Sequence, residues 1–247
     1  MRKSHWRSER RVRRLARRKI VFVIVEGASD ETALGVALTQ IFDKDSVHVH
    51  IMHGDITTRA GVSSQNIVAK IGNEVRAYAV SNHYKAKDFK QIIHIVDTDA
   101  AYLLSEKIIE DSKCEKISYE NDGIHTNEVE KVISRNKQKS DNLYRLRGCD
   151  SIWGINYRVY YMSCNLDHVL YDKRNSTDEE KEQNAYSFAK NYKNNVIGFM
   201  DFMCKSSFSI RGNFKDSWDF IEKDMNSIER YTNLPICIEE EMSKCDK

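Results

Sequence analysis

Val21-Phe22-Val23-Ile24-Val25-Glu26-Gly27-Ala28-Ser29-Asp30 opens as an unbroken apolar run and closes on an acid, a glycine and a second acid. A short run that is apolar at every residue and bounded by Gly reads as a strand buried on both faces, the kind found in a parallel sheet covered by helices on each side. Ile92-Ile93-His94-Ile95-Val96-Asp97-Thr98-Asp99 repeats the pattern downstream. In open sheets of this type, ligands gather at the carboxyl ends of the strands. Glu26, Asp30, Asp97 and Asp99 are therefore expected to share one small site. Like charges so crowded are unstable unless protons or a cation neutralise them, and an all-oxygen donor set suits Mg2+ or Mn2+.

Between these runs the chain alternates as a doubly covered sheet requires. Ser29 or Asp30 caps a helix through about Phe42, with Leu34, Val36, Ala37, Leu38 and Ile41 on its inward face. Val47 to Met52 alternates apolar residues with His and predicts a second strand at or near an edge. His48 and His50 fall on one face of it, so with His53 they read as an exposed ladder rather than a metal site. A helix from about Ser63 to Asn82 carries Ile67, Ile71, Val75 and Tyr78 at helical spacing and leads into the Asp97 strand. This β-α-β-α-β order is what right-handed crossovers demand.

From about Cys114 to Cys149 the composition shifts toward Lys, Asn, Ser and Asp, which predicts an insertion or mobile lid. Lys113, Lys116, Lys131, Arg135, Lys137, Lys139, Arg145 and Arg147 form a second basic cluster near the proposed site, although a charge run of this kind reads first as solvated surface. Tyr157 to Met162 resumes the sheet. Helices follow over Glu179 to Tyr192, Asn195 to Cys204 and Lys215 to Tyr231, and Pro235 marks the end of the packed region. The expected organisation is a basic arm over 1–19, an α/β catalytic domain over 20–172 with a parallel sheet flanked by helices and an insertion over 114–149, and a helical C-terminal appendage over 173–247.

The Glu-Gly-x-x-Asp pattern after one strand and Asp-x-Asp after a later one resembles the Toprim domain over about residues 19–172. That domain is shared by topoisomerases, bacterial primases, small RNA-maturation nucleases and the overcoming-lysogenization-defect nucleases. The resemblance implies a Toprim-like parallel sheet, with Glu26 as general acid/base or metal ligand and Asp97 and Asp99 as the metal-holding pair. Asp30 takes the place of the additional acid of the nuclease branches. Tyr160-Tyr161-Met162-Ser163-Cys164-Asn165-Leu166-Asp167-His168 resembles the strand-Ser-x-x-x-acid segment of the same nucleases and of RloB-type defence proteins. The acid there is usually Glu; here Ser163 and Asp167 are the candidate second-metal ligands. Each acid also has a plain structural reading. Asp30 can be a first-turn acid favoured by the helix dipole, Asp97-Thr98-Asp99 a cap and turn, and Ser163 and Asp167 a helix cap and a surface acid.

With 247 residues the chain can bury a full core. No apolar stretch reaches the length of a membrane span. The run Ile20 to Val25 is too short for a signal peptide and stops at Glu26. Six scattered cysteines without Cys-x-x-Cys pairing predict reduced thiols and a cytoplasmic protein.

Net charge is only +2, yet the first nineteen residues hold ten Lys or Arg against Glu9 alone. Such a block stays solvated or meets a polyanion or an acidic partner protein. Arg10, Arg11, Arg13, Arg14, Arg17 and Arg18 are candidates for phosphate contacts, which gain affinity by releasing counterions. Arg59, Lys173 and Arg174 are candidates nearer the acids.

No Gly-x-x-x-x-Gly-Lys-Ser/Thr loop is present, so the resemblance points to a stand-alone branch whose ATPase, if used, is a separate partner protein. What it implies is a Mg2+- or Mn2+-dependent nuclease that hydrolyses nucleic-acid phosphodiesters, DNA or RNA, as a phage-defence effector or RNA-processing enzyme. Two alternatives stay open: a non-catalytic Toprim-like module that binds nucleic acid or a partner, and a metal enzyme acting on a nucleotide or small phosphoester.

Overall fold

Residues 18–245 are described by a computed structural model of the chain; Arg10, Arg11, Arg13, Arg14 and Arg17 of the basic arm lie outside the described residues, and Arg18 is exposed. The chain opens with β1 (Ile20–Val25), α1 (Ala28–Ile41), β2 (Ser46–Ile51), α2 (Ile67–Ser81) and β3 (Phe89–Asp97). An excursion through β4 (Ile108–Glu110), β5 (Ser118–Tyr119) and β6 (Ile124–Thr126) precedes α3 (Val129–Arg147), β7 (Ser151–Ile152) and β8 (Ile155–Met162). Helices α4 (Leu166–Tyr171), α5 (Asp178–Tyr192), α6 (Val196–Lys205), α7 (Phe214–Ile221) and α8 (Leu234–Cys245) complete it. The main sheet runs β2-β1-β3-β8-β7, parallel except for the two-residue β7, and the small sheet runs β4-β6-β5.

The unbroken apolar character of β1 follows from its place inside the sheet. Val21, Val23 and Val25 pack with Leu34, Ala37 and Leu38 of α1. The alternate residues Ile20, Phe22 and Ile24 pack on the other face with Ile67, Ile71 and Val75 of α2. The twofold period of a strand thus sends successive side chains into two separate cores. Each large aliphatic so buried contributes roughly 1.5–3 kcal/mol. The edge strand β2 has no such demand and tolerates half-buried histidines.

The C-terminal helices pack against one another and the sheet. Phe188 of α5, Phe199 and Met203 of α6 and Ile236 and Ile238 of α8 share the core of the α1 face, while Trp218 and Ile221 of α7 join the α2 face. Pro235 is not the end of packing. It sits in the first turn of α8, where its missing N–H has no helical partner to lose, and Leu234, Ile236, Cys237 and Ile238 around it are buried.

The helix expected over Lys215 to Tyr231 stops at Ile221. The chain then turns through Asp224 at φ 48° and docks on the end of β8, where the N–H groups of Ser163 and Cys164 donate to the carbonyls of Tyr231 and Ser227. Residues 114–149 do not form a lid. Ile124 and Val132 anchor them in a third small core, and α3 is a full crossover helix that buries Leu143 and Leu146 against the sheet.

His48 and His50 are not an exposed ladder either: His48 stacks on Tyr78 at 4.0 Å between centroids, and His50 lies 3.6 Å from Glu74. Among the described residues no helix is long and apolar enough to cross a membrane.

Candidate functional site

Because β1, β3 and β8 are parallel, their carboxyl ends lie along one edge. Glu26 directly follows β1 and Asp97 closes β3; the Asp97 N–H donates to Glu26 Oε1 at 3.3 Å. Thr98, wholly buried, ties this end to its neighbours. Its N–H donates to the Met162 carbonyl, its hydroxyl donates to the Ser227 carbonyl at 2.9 Å, and the same oxygen accepts from the Cys164 N–H at 2.9 Å. The Asp99 N–H donates to the Cys164 carbonyl. These bonds hold Asp99, Ala100 and Cys164 at φ 47°, 54° and 56°. A left-handed residue other than Gly costs on the order of 1 kcal/mol and persists only where its surroundings over-determine it.

The turn delivers the Asp99 carboxylate to α3. Lys139, fully excluded from solvent, contacts Asp99 Oδ2, lies 2.8 Å from Asp55 Oδ2 and 3.9 Å from Glu26 Oε1. Asp55 follows β2 and is fixed in place by the Thr57 N–H at 2.7 Å and the Thr58 hydroxyl at 2.9 Å. One turn before Lys139, the Arg135 guanidinium donates to the Asp99 carbonyl at 3.0 Å and to the Tyr119 hydroxyl at 3.2 Å, and that hydroxyl donates to Asp99 Oδ1 at 3.3 Å. Asp55 and Tyr119 were not singled out in the sequence; Lys139 and Arg135 were, within a basic cluster read first as solvated surface. A signal for Lys139 existed: buried positions Val132, Asn136, Lys139, Leu143 and Leu146 recur at helical spacing, so the lysine sits in the inward stripe.

Charge is unevenly distributed over this group. Burial, with Asp55, Asp99 and Asp30 adding and Lys139 opposing, holds the Glu26 carboxyl well above its ordinary range. Burial and the carboxylates of Glu26, Asp30 and Asp99 do the same to Asp97. Burial would also raise Asp55, but the Lys139 ammonium and the Thr57 hydrogen bonds bring it down to about 2. Lys139 in turn is raised well above its usual value by Asp99, Asp55 and Glu26, in spite of its burial.

The remaining candidates divide. Asp30 accepts the Gly27 N–H at 3.0 Å, the first-turn role open to it, and its carboxyl is raised by burial while it adds to the repulsion on Glu26 and Asp97. Asp167, buried at the start of α4, is raised by burial and by Asp30, and is opposed by Lys181. Ser163 is not turned to these acids. Its hydroxyl lies 2.8 Å from the Asn226 carbonyl and contacts that of Glu229, so it serves to dock the 222–231 segment. Arg59 donates to the Met52 carbonyl at 2.6 Å and lines a separate hollow beside His48, His50 and Glu74. Lys173 is exposed and lies 3.6 Å from Glu180.

Glu26, Asp97 and Asp99 line a cleft of about 1130 Å³ whose walls add Lys116, Arg174 and Lys181. Across it, the Tyr119 N–H donates to Asn175 Oδ1 at 2.9 Å and Asn175 Nδ2 donates back to the Tyr119 carbonyl at 3.1 Å, while Arg174 donates to Asn121 at 2.6 Å. Among the described residues no three His, Cys, Asp or Glu side chains are arranged to hold a metal ion, and Lys139 supplies the positive charge nearest Asp55 and Asp99. The chemistry of Glu26, Asp97 and Asp30 nevertheless fits a hard divalent cation: their donors are oxygens only, and burial raises all three carboxyls, with repulsion from neighbouring carboxylates adding at Glu26 and Asp97. Comparison with known proteins returns no matching family model, no similar curated protein and no similar solved structure.

Proposed function

We propose that this chain is a Mg2+- or Mn2+-dependent phosphodiesterase with a Toprim-like α/β domain, acting on nucleic acid. The observation that carries the reading is the pairing of Glu26 and Asp97, two half-buried strand-end carboxyls joined through the Asp97 N–H, on a cleft whose walls present Lys116, Arg174 and Lys181. Carboxylates alone would repel a phosphodiester, and basic walls alone would bind one without changing it.

Glu26 and Asp97, assisted by Asp30, would hold the ion, which when bound supplies Lewis-acid stabilisation of phosphoryl oxygens. Glu26, beside the Asp97 N–H at the cleft, is placed to take a proton from an attacking water. Lys116, Arg174 and Lys181 would orient the phosphate by charge, and Tyr119 and Arg135 keep Asp99 from swinging into its path. The basic arm, with Arg10, Arg11, Arg13, Arg14, Arg17 and Arg18, would add sequence-independent affinity for the backbone. The resemblance supports a phage-defence effector or an RNA-processing enzyme as the setting.

The test is gel cleavage of labelled DNA and RNA with Mn2+. Glu26→Gln and Asp97→Asn, shown to be folded by circular dichroism, should each lose roughly 100-fold or more in rate, the lower end of what a positioned base contributes. Cleavage retained by folded Glu26→Gln overturns the proposal.

A further inference from the structure

Three acids from three separate strand ends converge on a single ammonium. Glu26 follows β1, Asp55 follows β2 and Asp99 follows β3, and all three pair with Lys139, whose side chain is 0% exposed. Taking an ammonium out of water costs several kcal/mol; Asp55 and Asp99 accept its hydrogen bonds and Glu26 adds an ion pair at 3.9 Å. The neighbours of Asp55 and Asp99 reinforce the arrangement. Thr57 and Thr58 fix Asp55, while Arg135 and Tyr119 fix Asp99, and Asp99 itself is held in the left-handed region. Lys139 makes no ion pair, among the described residues, with Asp97 or Asp30.

The acid cluster therefore has two unlike halves. On one, Asp55 and Asp99 are already neutralised by a cation that is part of the chain. On the other, Glu26 and Asp97 line the cleft, joined by the Asp97 N–H that donates to Glu26 Oε1 at 3.3 Å. We propose that Lys139 is a built-in cation that stands where a second metal ion would bind, so that the site takes one divalent ion, on Glu26 and Asp97, and not two. This rests on the metal-dependent reading above. Lys139 is on this view a positioning residue: its covalently tethered charge fixes Asp55 and Asp99 whatever the metal concentration, and leaves a single ion to be recruited from solution.

The full chain is titrated with Mn2+ while the paramagnetic resonance signal of free Mn2+ reports the bound number, for the native sequence, Lys139→Gln, Lys139→Arg and Glu26→Gln. One ion per native chain, two for Lys139→Gln, one for Lys139→Arg and a large loss of affinity for Glu26→Gln support the inference. Two ions on the native chain overturn it and leave the metal-dependent reading standing, as does one ion on both the native chain and folded Lys139→Gln. No binding at millimolar Mn2+ overturns both. Should Lys139→Gln be unfolded without metal, recovery of the native far-ultraviolet spectrum in Mn2+ supports the inference, because the ion replaces the missing ammonium; a chain that stays unfolded at saturating Mn2+ overturns it.

Discussion

Lys139 Nζ and Asp55 Oδ2 meet at 2.8 Å across 84 residues of sequence, the lysine excluded from solvent and the aspartate nearly so. The contact joins the helix before the last long strand to the loop after the edge strand, so it is a tertiary clamp as well as a charge pair. Removing one partner of a buried pair strands the other, at a cost of about 3–5 kcal/mol. Lys139→Met should lower the urea midpoint accordingly.

Asp55 adds a signature in pH. Its folded value of about 2 lies below the ordinary 3.8, so its contribution is present above pH 3.8 and is lost as pH falls toward 2. That shift corresponds to about 2 kcal/mol. Asp55→Asn should flatten the acid limb of the stability curve below pH 4; an unaltered limb would show that the pair contributes nothing.

Glu26 and Asp97 predict the opposite sign. Their folded carboxyls are raised, by burial first and by one another, so the stability they contribute is present below the ordinary carboxylate range and is lost as pH rises through the raised folded values. The metal-free chain should accordingly melt at a progressively lower temperature as pH rises above the ordinary carboxylate range. Asp97→Asn should remove much of that decline. Mn2+ should raise Tm most at the alkaline end, where both carboxylates are free to bind it, because ligands must shed their protons first. Melting curves at three pH values with and without metal decide this, and a Tm gain from Mn2+ that is the same at every pH goes against it.

His94 gives a third, separable pH effect. It lies wholly inside the sheet with Nδ1 2.8 Å from the Tyr157 hydroxyl, and burial, aided by the Lys139 charge and opposed by Asp55, lowers it to about 3. The unfolded chain protonates near 6.5 while the folded chain does not, so stability falls as pH drops from 6.5 toward 3. The slope is at most about 1.4 kcal/mol per pH unit. His94→Gln should keep a partner for Tyr157 and abolish that slope between pH 6 and 4, above the window in which Asp55 acts. Denaturant titrations at pH 6, 5 and 4 on both chains measure it.

How much of this was legible follows from what each signal depends on. The strand-end acids were readable because burial on both faces makes β1 apolar throughout and β3 nearly so from Ile92 to Val96, so the acid that ends each run stands out. The β-α-β-α-β succession of parallel strands followed from the same runs. Lys139 and Asp55 were hidden for a different reason. A lysine in a polar helix looks solvated until its neighbours are known, and the neighbours that hold it lie 40 and 84 residues away. Ser163 misled because a hydroxyl after a strand looks alike whether it faces an ion or, as here, the carbonyls of Asn226 and Glu229. Pro235 misled because a proline ends packing in a loop but begins a helix as readily.

Asn175 and Tyr119 exchange two hydrogen bonds across the cleft, through the Asn175 amide and the Tyr119 backbone, in the manner of one rung of a sheet. Both bonds are solvent-exposed, so each contributes at the low end of about 0.5–1.5 kcal/mol. Asn175→Ala should therefore change global stability by less than about 1 kcal/mol, while locally freeing the segment 172–177 from β5. Hydrogen exchange followed by mass spectrometry should show the Tyr119 amide exchanging several-fold faster in the variant, and β1 and β3 unchanged, since their amides are protected by the sheet and open only with the whole domain. If Tyr119 exchanges at the native rate in Asn175→Ala, the rung is incidental, and the link between Arg174 and Asn121 at 2.6 Å is what spans the cleft.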